Sequence, residues 1–289
     1  FSKIALAEHQ RSITYAELWN GITLTTEKLE SLGVKPKDRV LFSINNSIDF
    51  IILHFAILKA GGVSVPVDVT LSDSNLNSIV EDLEPVLIIS EIDLTERLVN
   101  NASDFCNHNH LKVTDKDIKD HPFEKSFVSP TSKHDLVVIL YTSGSTGVPK
   151  GVMLTNNNTL ITINNIINFC NYNSNCCELV TLPLTHSFGL GQVYSMLFSG
   201  GSAFVEMGML RMKRIFKAMD DYRITGFPTT PKGVELITTQ YSEIFKSKAK
   251  DLNSMIINSA PLLPYQTKEL LNLLPGTKIY VYYGLTEAS

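Results

Sequence analysis

The chain alternates, for most of its length, between short apolar segments and longer segments with a helical pattern. Segments such as "RVLFSI", "VSVPVD" and "DLVVILY" are apolar on both faces, whereas "SIDFIILHFAILKA" and "SNLNSIVEDL" have the length and spacing of helices. Strands that are apolar on both faces are usually parallel and are covered by helices on both sides. The alternation therefore predicts an α/β fold of layered, mainly parallel sheets flanked by helices.

The second half of the chain continues this alternation, with strands predicted at "ELVTLP", "SAFVEM", "RITGF", "SMIIN" and "KIYVYY". Near the start, Thr14 and Glu17 form a T-x-x-E pattern that predicts the first turn of a helix, which Gly33 would end. Residues 91–134 are polar and give no clear pattern. We therefore interpret residues 1–289 as one domain with a seam between subdomains near residue 135.

Composition excludes several classes of protein. The 289 residues are 44% hydrophobic and 19% charged with a net charge of −4, which is ordinary for a globular chain and offers no basic surface for nucleic acid. The longest apolar run contains His54 and Lys59 and is too short for a transmembrane segment. Four cysteines without a C-x-x-C pair, together with the absence of a signal peptide, favour a cytoplasmic protein.

One group of residues in the polar stretch has the chemistry of a metal site. Cys106, His108 and His110 alternate in "FCNHNH", so an extended backbone would place all three side chains on one side. A polar surface loop explains the same residues, and no fourth ligand lies nearby in the sequence. The surface loop is the preferred interpretation.

The segment "YTSGSTGVPKG", residues 141–151, is rich in Ser, Thr and Gly although it directly follows an apolar strand. Such a segment cannot bury an apolar face, which predicts a loop rather than a helix or a strand. Its glycines let the backbone approach an anion, its hydroxyls and N–H groups donate hydrogen bonds, and Lys150 adds a charge. Because ligands bind beyond the carboxyl ends of parallel strands, this loop is predicted to hold a polyphosphate.

A P-loop NTPase and a flexible linker are the two alternatives for this segment. A P-loop NTPase would carry G-x-x-x-x-G-K-[ST], but Val148 and Pro149 separate Gly147 from Lys150, so this fingerprint fails. A flexible linker would also suit glycine and serine. A linker, however, does not need to follow a buried strand or to end in Pro-Lys-Gly, and the phosphate-binding interpretation is preferred.

The same segment resembles the phosphate-loop signature of the adenylate-forming superfamily, which includes acyl-CoA synthetases, peptide-synthetase adenylation domains and firefly luciferases. Other segments that resemble the family follow in family order: "ITYAEL", "LKAGGVSVPVD", "LPLTHSFG", "NSAPL" and "YYGLTE". The resemblance covers essentially the whole chain and implies the N-terminal domain of such an enzyme. It also implies ATP, Mg²⁺, and either CoA or the phosphopantetheine of a carrier protein.

The resemblance implies roles for individual residues. Those it assigns to the phosphates of ATP are Thr142, Ser143, Gly144, Ser145, Thr146, Gly147 and Lys150. Those it assigns to the adenine are Ser259, Ala260, Pro261, Tyr282, Tyr283 and Gly284, with Tyr283 stacking on the ring. The catalytic group it implies comprises Lys150, His186, Thr286 and Glu287, in which Glu287 holds Mg²⁺. A hard carboxylate ligand suits Mg²⁺, although a lone glutamate is usually a solvated surface residue.

His186 bears on the class of substrate. In the acyl and luciferase branches, the resemblance places a histidine where the carboxylate meets ATP, whereas amino-acid adenylation domains supply an aspartate for the substrate ammonium. No acid occurs between Glu178 and Glu206, and the apolar residues Phe188, Leu190, Val193 and Met196 could line a channel. The expected substrate is therefore a fatty or aryl carboxylic acid. The alternative for these apolar residues is ordinary packing of a helix against the sheet.

The preferred interpretation is an AMP-forming acyl-CoA synthetase. Relatives continue past "YGLTE" to a ribose-binding aspartate, a hinge and a C-terminal lid domain with a catalytic lysine. Because the sequence stops before these parts, we expect an incomplete N-terminal adenylation domain. The alternatives are a ligase that delivers the acyl group to an acyl carrier protein, an amino-acid adenylation domain, and a catalytically dead nucleotide-binding module.

Overall fold

The computed structural model describes residues 2–94, 96–98, 104–123, 131–142 and 147–288. The strands in this part of the chain are β1 Ile4–Glu8, β2 Arg11–Thr14, β3 Arg39–Ser43, β4 Val63–Pro66, β5 Leu87–Ser90, β6 Asp104–Asn107, β7 Leu136–Thr142, β8 Lys150–Thr155, β9 Cys177–Val180, β10 Ser202–Val205, β11 Gly226–Thr229, β12 Ser254–Ile257 and β13 Lys278–Val281. The helices are α1 Tyr15–Ser31, α2 Ile48–Lys59, α3 Asp73–Leu83, α4 His108–Leu111, α5 Asp115–Asp120, α6 Asn156–Cys170, α7 Ser187–Phe198, α8 Met212–Asp221, α9 Pro231–Gln240, α10 Ser242–Lys248 and α11 Pro264–Leu273. Met209–Arg211 and Thr286–Ala288 form short 3₁₀ helices.

The chain divides into two compact units. The first is built mainly from Ile13–Ile161, and the second from Ile4–Ser12 and Thr162–Ala288. The seam expected near residue 135 falls inside the first unit, because β7, which begins there, pairs with β4. The two units divide within α6 instead.

The first unit contains a six-stranded sheet in the order β6-β5-β3-β4-β7-β8. Its neighbouring strands are parallel except for β7 and β8, which are antiparallel. Side chains of β3, β4, β5 and β7 form a core with α3, and α1 packs against the almost wholly apolar α2. Sandwiching parallel strands between helices removes both of their apolar faces from water, as the sequence pattern requires.

The second unit contains a seven-stranded sheet in the order β13-β12-β11-β9-β10-β1-β2. The pairs from β13 to β1 are parallel, so the carboxyl ends of β9, β11, β12 and β13 lie at the same edge of the sheet. Buried side chains from these strands and from α8, α9, α10 and α11 form the core of this unit. No helix among the described residues is long and apolar enough to cross a membrane.

Local signals account for the helix boundaries. Thr14 and Glu17 form a reciprocal capping box at the start of α1, as predicted, and Gly33 has φ +89° just after the helix. The α/β class with mainly parallel sheets is confirmed, and each strand predicted from an apolar segment is present.

The loop prediction for residues 141–151 was wrong at both ends of the segment. Tyr141 and Thr142 end β7, and Lys150 and Gly151 begin β8, so the two ends of the segment pair with each other as antiparallel strands. Pairing with a neighbouring strand satisfies the backbone of residues that have no apolar face to bury. Local composition does not show this pairing, because the partner strand β8, with "KGVMLT", is only partly buried.

Candidate functional site

The phosphate-loop segment is held by the β7–β8 hairpin of the first unit. The register pairs Thr142 with Lys150, so these two predicted phosphate ligands lie opposite each other where the hairpin opens. The Lys150 side chain is exposed, and Thr142 is partly buried. Gly147 has φ +79°, a backbone conformation that glycine adopts without strain, and none of the described residues lies within 4 Å of where its side chain would be. Ser143, Gly144, Ser145 and Thr146 lie outside the described residues.

Tyr141 anchors this hairpin, a role that the sequence analysis did not assign. Its hydroxyl donates a hydrogen bond to Asp82 Oδ2 on α3 at 2.7 Å, and burial, with the neighbouring carboxylate, raises the pKa of the tyrosine. Its ring lies across from Gly151, where an added Cβ would be 3.1 Å from Tyr141 Cζ and 2.9 Å from Ile139 Cγ2. A side chain at position 151 would crowd the Tyr141 ring, which explains why glycine follows Lys150 in this segment.

The other predicted site residues belong to the second unit and follow the carboxyl ends of its parallel strands. Residues 181–186 follow β9, residues 258–261 follow β12, and residues 282–287 follow β13. Three segments far apart in the sequence are thus placed at one edge of one sheet. This edge is the usual position of ligand sites in such folds.

The N-terminus of α7 brings His186 and Thr286 to the same place. His186 is the exposed N-cap residue, and Ser187 Oγ lies 3.2 Å from Thr286 Oγ1. The His186 side chain accepts no hydrogen bond from the first turn of α7, so the N–H groups of this turn are not capped by it and suit an anion. Ser187 was not predicted as a site residue, although its position directly after His186 is a usable signal.

Gly189 allows the segment before α7 to lie against the helix. A Cβ on this residue would overlap the carbonyl oxygen of Pro183 and would be 2.9 Å from the Pro183 carbonyl carbon. The turn that carries His186 is further fixed by the His186 N–H, which donates to Pro183 O at 3.3 Å. The position of the histidine thus depends on a glycine three residues further along the chain.

The segments after β12 and β13 are joined through Asn258, another residue that the sequence analysis missed. Asn258 Oδ1 accepts a hydrogen bond from the Ser259 N–H at 2.5 Å, and the Asn258 side chain also hydrogen-bonds to the Tyr282 hydroxyl. Ser259 has φ +82°, in the left-handed region that costs a non-glycine residue on the order of 1 kcal/mol or more. A Cβ on Gly284 would be 3.7 Å from Asn258 Nδ2, so the two segments approach closely.

The remaining predicted residues are on the surface of this unit. Tyr283 is 86% exposed, which leaves its ring free to stack on a flat ligand. Ala260, Pro261 and Glu287 are exposed as well. Tyr282 behaves differently, because it is largely buried and its ring packs edge-on against Phe188 with centroids 5.8 Å apart.

A cavity of about 530 Å³ opens in the second unit, beside the end of β11. Its wall combines hydroxyl, amide, charged and apolar side chains: Thr181, Leu182, Met209, Leu210, Thr229, Thr230, Lys232, Gly233, Glu235, Leu236, Thr239 and Gln240. The apolar α7 residues expected to line a channel have a different environment. Leu190, Val193 and Met196 are buried and do not line this cavity.

The two acids that bracket the acid-free stretch are both buried. Glu178 is completely buried and hydrogen-bonds to the Tyr172 hydroxyl. Glu206 follows β10 with a side chain that is 3% exposed, and its Oε1 lies 3.9 Å from both Arg211 Nη1 and Arg214 Nη1. The stretch between them contains no acidic residue. The two carboxyl groups at its ends already interact with other side chains of the protein.

The metal-site interpretation of "FCNHNH" lacks the extended backbone that it required. Cys106 is in β6, but the helix α4 begins at His108, so the alternation of side chains stops there. Within the described ranges, no group of three His, Cys, Asp or Glu side chains could hold a metal ion.

Known proteins that resemble this chain include ATP-using enzymes of one family. A family model described as "AMP-binding enzyme" matches residues 2–289. Among curated proteins, the nonribosomal peptide synthetase GRA1 of Gibberella zeae is 25% identical over 99% of the chain and 4% of its own length. The peroxisomal OPC-8:0-CoA ligase 1 of Arabidopsis thaliana is 24% identical over 96% of the chain and 53% of its own length.

Solved structures share the fold. ATP-bound MatB from Rhodopseudomonas palustris has a TM-score of 0.86 at 22% identity, covering 99% of this chain and 57% of its own. The N-terminal subdomain of NpsA from Klebsiella oxytoca has a TM-score of 0.84 at 20% identity, covering 99% of this chain and 71% of its own. The chain thus spans about half the length of the CoA ligase it matches and a small part of the peptide synthetase.

Proposed function

Because the chain belongs to the AMP-binding enzyme family, we propose that it activates a carboxylic acid with ATP, forming an acyl-adenylate and pyrophosphate, and that the acyl group then passes to the thiol of CoA. In the first step a carboxylate oxygen bonds to the α-phosphorus as the bond from that phosphorus to the β-phosphate oxygen breaks. In the second step the thiol sulfur bonds to the carbonyl carbon and AMP leaves.

The observation that carries this proposal is the group of donors at the N-terminus of α7. Both reactants are anions, so their approach needs preorganised positive or donor groups. The first-turn N–H groups of α7 and the hydroxyls of Ser187 and Thr286 meet at one point beside the exposed His186. There they would hold the carboxylate and the α-phosphate oxygens together, and the His186 ring would donate to the same oxygens.

The hairpin residues fit the β- and γ-phosphates. Thr142 offers a hydroxyl, Gly147 an open backbone in a left-handed conformation, and Lys150 an exposed ammonium on the opposite strand. These groups neutralise charge on the departing pyrophosphate and cost little reorganisation, because the hairpin and the Tyr141–Asp82 bond fix them in advance.

The second unit fits the adenine. Tyr283 presents an exposed ring for stacking, and residues 258–261 and Gly284 form the neighbouring backbone edge. Glu287, exposed after β13, has the ligand chemistry that Mg²⁺ prefers. Bound there, Mg²⁺ would offset charge on the phosphate oxygens.

The substrate we propose is a fatty or aryl acid without an α-amine. An ammonium in a buried pocket needs a partner carboxylate, and an unpaired one costs several kcal/mol. The stretch after β9 supplies no acid, and Glu178 and Glu206 are already engaged by Tyr172 and by two arginines. The 530 Å³ cavity, with Leu182, Met209 and Leu236 in its wall, has room for a tail.

A second candidate is the same chemistry on an amino acid or with a carrier-protein acceptor. Its support is the peptide synthetase among the relatives, matched over 99% of the chain. The two acceptors differ in what must dock, because a carrier protein needs a docking surface whereas CoA does not.

The test is acid-dependent exchange of labelled pyrophosphate into ATP by the full-length protein, run with fatty acids, aryl acids and proteinogenic amino acids at equal concentration. Exchange with the unaminated acids alone supports the proposal. Exchange with amino acids alone moves the chain to the second candidate. ATP binding without exchange for any acid in either set would indicate a nucleotide-binding module. Thioester formation with CoA or with a phosphopantetheinylated carrier protein then identifies the acceptor.

A further inference from the structure

A continuous hydrogen-bonded network of side chains, buried at β9 and partly buried at its far end, connects β9 to the segment after β12. Glu178 Oε1 hydrogen-bonds to the Tyr172 hydroxyl, and Tyr172 Oη lies 2.9 Å from Gln192 Oε1 on α7. Gln192 Nε2 donates to Tyr282 Oη at 3.0 Å, and Tyr282 in turn hydrogen-bonds to Asn258. All five residues belong to the second unit.

The protons of this network can be counted. Tyr172 has one hydroxyl proton, yet it faces two oxygens, Glu178 Oε1 and Gln192 Oε1. If Glu178 were ionised, Tyr172 would donate to it, and no proton would join Tyr172 Oη to Gln192 Oε1. Two arrangements resolve the conflict: a neutral Glu178 gives its own proton to Tyr172, which then donates to Gln192, or an ionised Glu178 accepts from Tyr172 while the Gln192 amide turns over and donates to Tyr172.

The surroundings of Glu178 favour the neutral acid. The side chain is completely buried, burial raises its pKa to about 8, and the bond from Tyr172 opposes this rise only in part. Within the part of the chain that the structure describes, Glu178 Oε2 has no hydrogen-bond partner, which is costly for a carboxylate. The titratable groups that face it are Tyr172, Cys170 and Tyr282, whose pKa values burial also raises.

The far end of the network reaches the predicted adenine segment. Asn258 Oδ1 already accepts from the Ser259 N–H, so its amide nitrogen is the donor to Tyr282 Oη. Tyr282 Oη therefore accepts from both Gln192 and Asn258 when the network starts from a neutral Glu178. These hydrogen bonds hold the Tyr282 hydroxyl, the Asn258 side chain and the left-handed backbone of Ser259 in one arrangement.

We propose that Glu178 is a positioning residue for the adenine segment, residues 258–261: as a neutral acid it sets the direction of the hydrogen bonds that hold Asn258 and Tyr282 in place. This inference rests on the proposed function, because that function assigns the segment to ATP. Ionisation of Glu178 reverses the network: Tyr172 donates to the carboxylate, the Gln192 amide turns over, and the Tyr282 proton is drawn toward Gln192. Tyr282 then accepts one N–H hydrogen bond instead of two, and residues 258–261 are held less firmly in the ATP-binding arrangement.

The experiment compares the 289-residue chain with E178Q, Y172F and, as a control, Y194F. Gln at position 178 keeps the shape of the neutral acid and an N–H donor toward Tyr172, but it does not titrate. Y194F removes another buried hydroxyl from the same helix as Gln192 and leaves all five residues of the network unchanged. Binding of ATP is measured from pH 6 to pH 9, with the ratio of variant to wild type taken at each pH so that titration of ATP itself cancels.

We expect wild-type affinity to fall relative to E178Q above about pH 8, by about tenfold, the size of one net hydrogen bond. Y172F should weaken binding at neutral pH by a similar factor, and Y194F should not. Equal pH profiles of wild type and E178Q would overturn the proposal, and so would normal binding by Y172F.

A measurement independent of ATP separates this proposal from the proposed function. Infrared difference spectra of the ligand-free wild type should show a buried neutral carboxylic acid at pH 7 that E178Q lacks, and Y172F should speed amide hydrogen exchange in residues 258–261. If ATP does not bind but both signals appear, the proposed function fails and the hydrogen-bonded network stands. If ATP binds and the carboxylic-acid band is absent, the positioning role is refuted and the proposed function stands.

Discussion

Ser187 Oγ, at the first residue of α7, lies 3.2 Å from Thr286 Oγ1, just beyond β13. The two residues are 99 positions apart, and their hydroxyls meet where the helix presents its N–H groups. This contact places a threonine from one predicted segment beside the histidine of another. The most direct test of the site therefore changes Thr286.

Thr286→Ala should lower acid-dependent pyrophosphate exchange by about 10²-fold, the scale of losing one donor to a developing charge. Thermal unfolding should change by no more than about 0.5 kcal/mol, because the residue lies near the surface. Thr286→Ser keeps the hydroxyl and should retain most of the exchange. Equal loss in the Ala and Ser variants would show that the methyl group, rather than the hydroxyl, matters.

Lys150→Met should reduce exchange by about 10²-fold while leaving the fold intact, because an exposed ammonium opposite Thr142 acts on phosphate charge. The matched control is Lys133→Met, which removes another exposed lysine of the same unit. Initial rates of exchange and the unfolding midpoint are measured for both variants. Comparable loss of exchange in the control would attribute the effect to overall charge.

Glu287→Gln should raise the Mg²⁺ concentration needed for half-maximal exchange, because the amide is a weaker ligand than the carboxylate. The control Glu269→Gln changes an exposed glutamate on α11. A titration of exchange rate against Mg²⁺ separates the two variants. An unchanged half-maximal concentration, with a lowered maximal rate, would argue against metal binding by Glu287.

Gly189→Ala should destabilise the chain and displace His186, because the new methyl group would collide with the Pro183 carbonyl. We expect a loss of about 1–3 kcal/mol in unfolding free energy, the range for overpacking. Among the described residues, the new methyl group of Gly191→Ala, on the same helix, would meet only Ile166 Cδ1, at 3.6 Å. It should be neutral or stabilising, since alanine favours a helix by about 1 kcal/mol. Similar unfolding free energies for the two variants would contradict the contact argument.

His54 should make the first unit less stable in acid. It is completely buried with Nδ1 2.6 Å from Ser64 Oγ, and burial lowers its pKa to about 3. The unfolded state, with a pKa near 6.5, therefore binds the extra proton between these values, and stability falls as the pH falls below about 6.5. From pH 6.5 to pH 5 the loss from this one proton is about 2 kcal/mol.

Urea unfolding at pH 5 and pH 7 tests this expectation. The double variant His54→Leu with Ser64→Ala removes the titrating ring and its hydroxyl partner together, and should lose less stability on acidification than wild type. His134→Gln changes an exposed histidine and should behave like wild type. His108, whose pKa burial also lowers, contributes equally to all three proteins. An unaltered pH dependence in the double variant would refute the role of His54.

The α/β class, the strands with both faces apolar and the start of α1 can all be predicted from local sequence patterns. These features depend on the spacing of apolar residues and on helix capping, both of which involve residues close together in the sequence. Thr14 and Glu17 form their capping box within four residues, and α2 is buried because it is apolar on every side. Residues 141–151 were predicted as a loop, but Tyr141, Thr142, Lys150 and Gly151 pair in an antiparallel ladder, because strand pairing depends on a partner that local composition does not reveal.

Which side chains come into contact depends on how the strands and helices pack. Asn258, Gln192 and Tyr172 carry no signal in their own segments, yet the parallel sheet brings the ends of distant strands to one edge, where Gln192 and Tyr282, 90 positions apart, share a hydrogen bond. Glu178 looks like an ordinary acid in the sequence. The neutral state that we propose for it depends on the fold, which removes it from water and gives it Tyr172 as its hydrogen-bond partner instead of a cation.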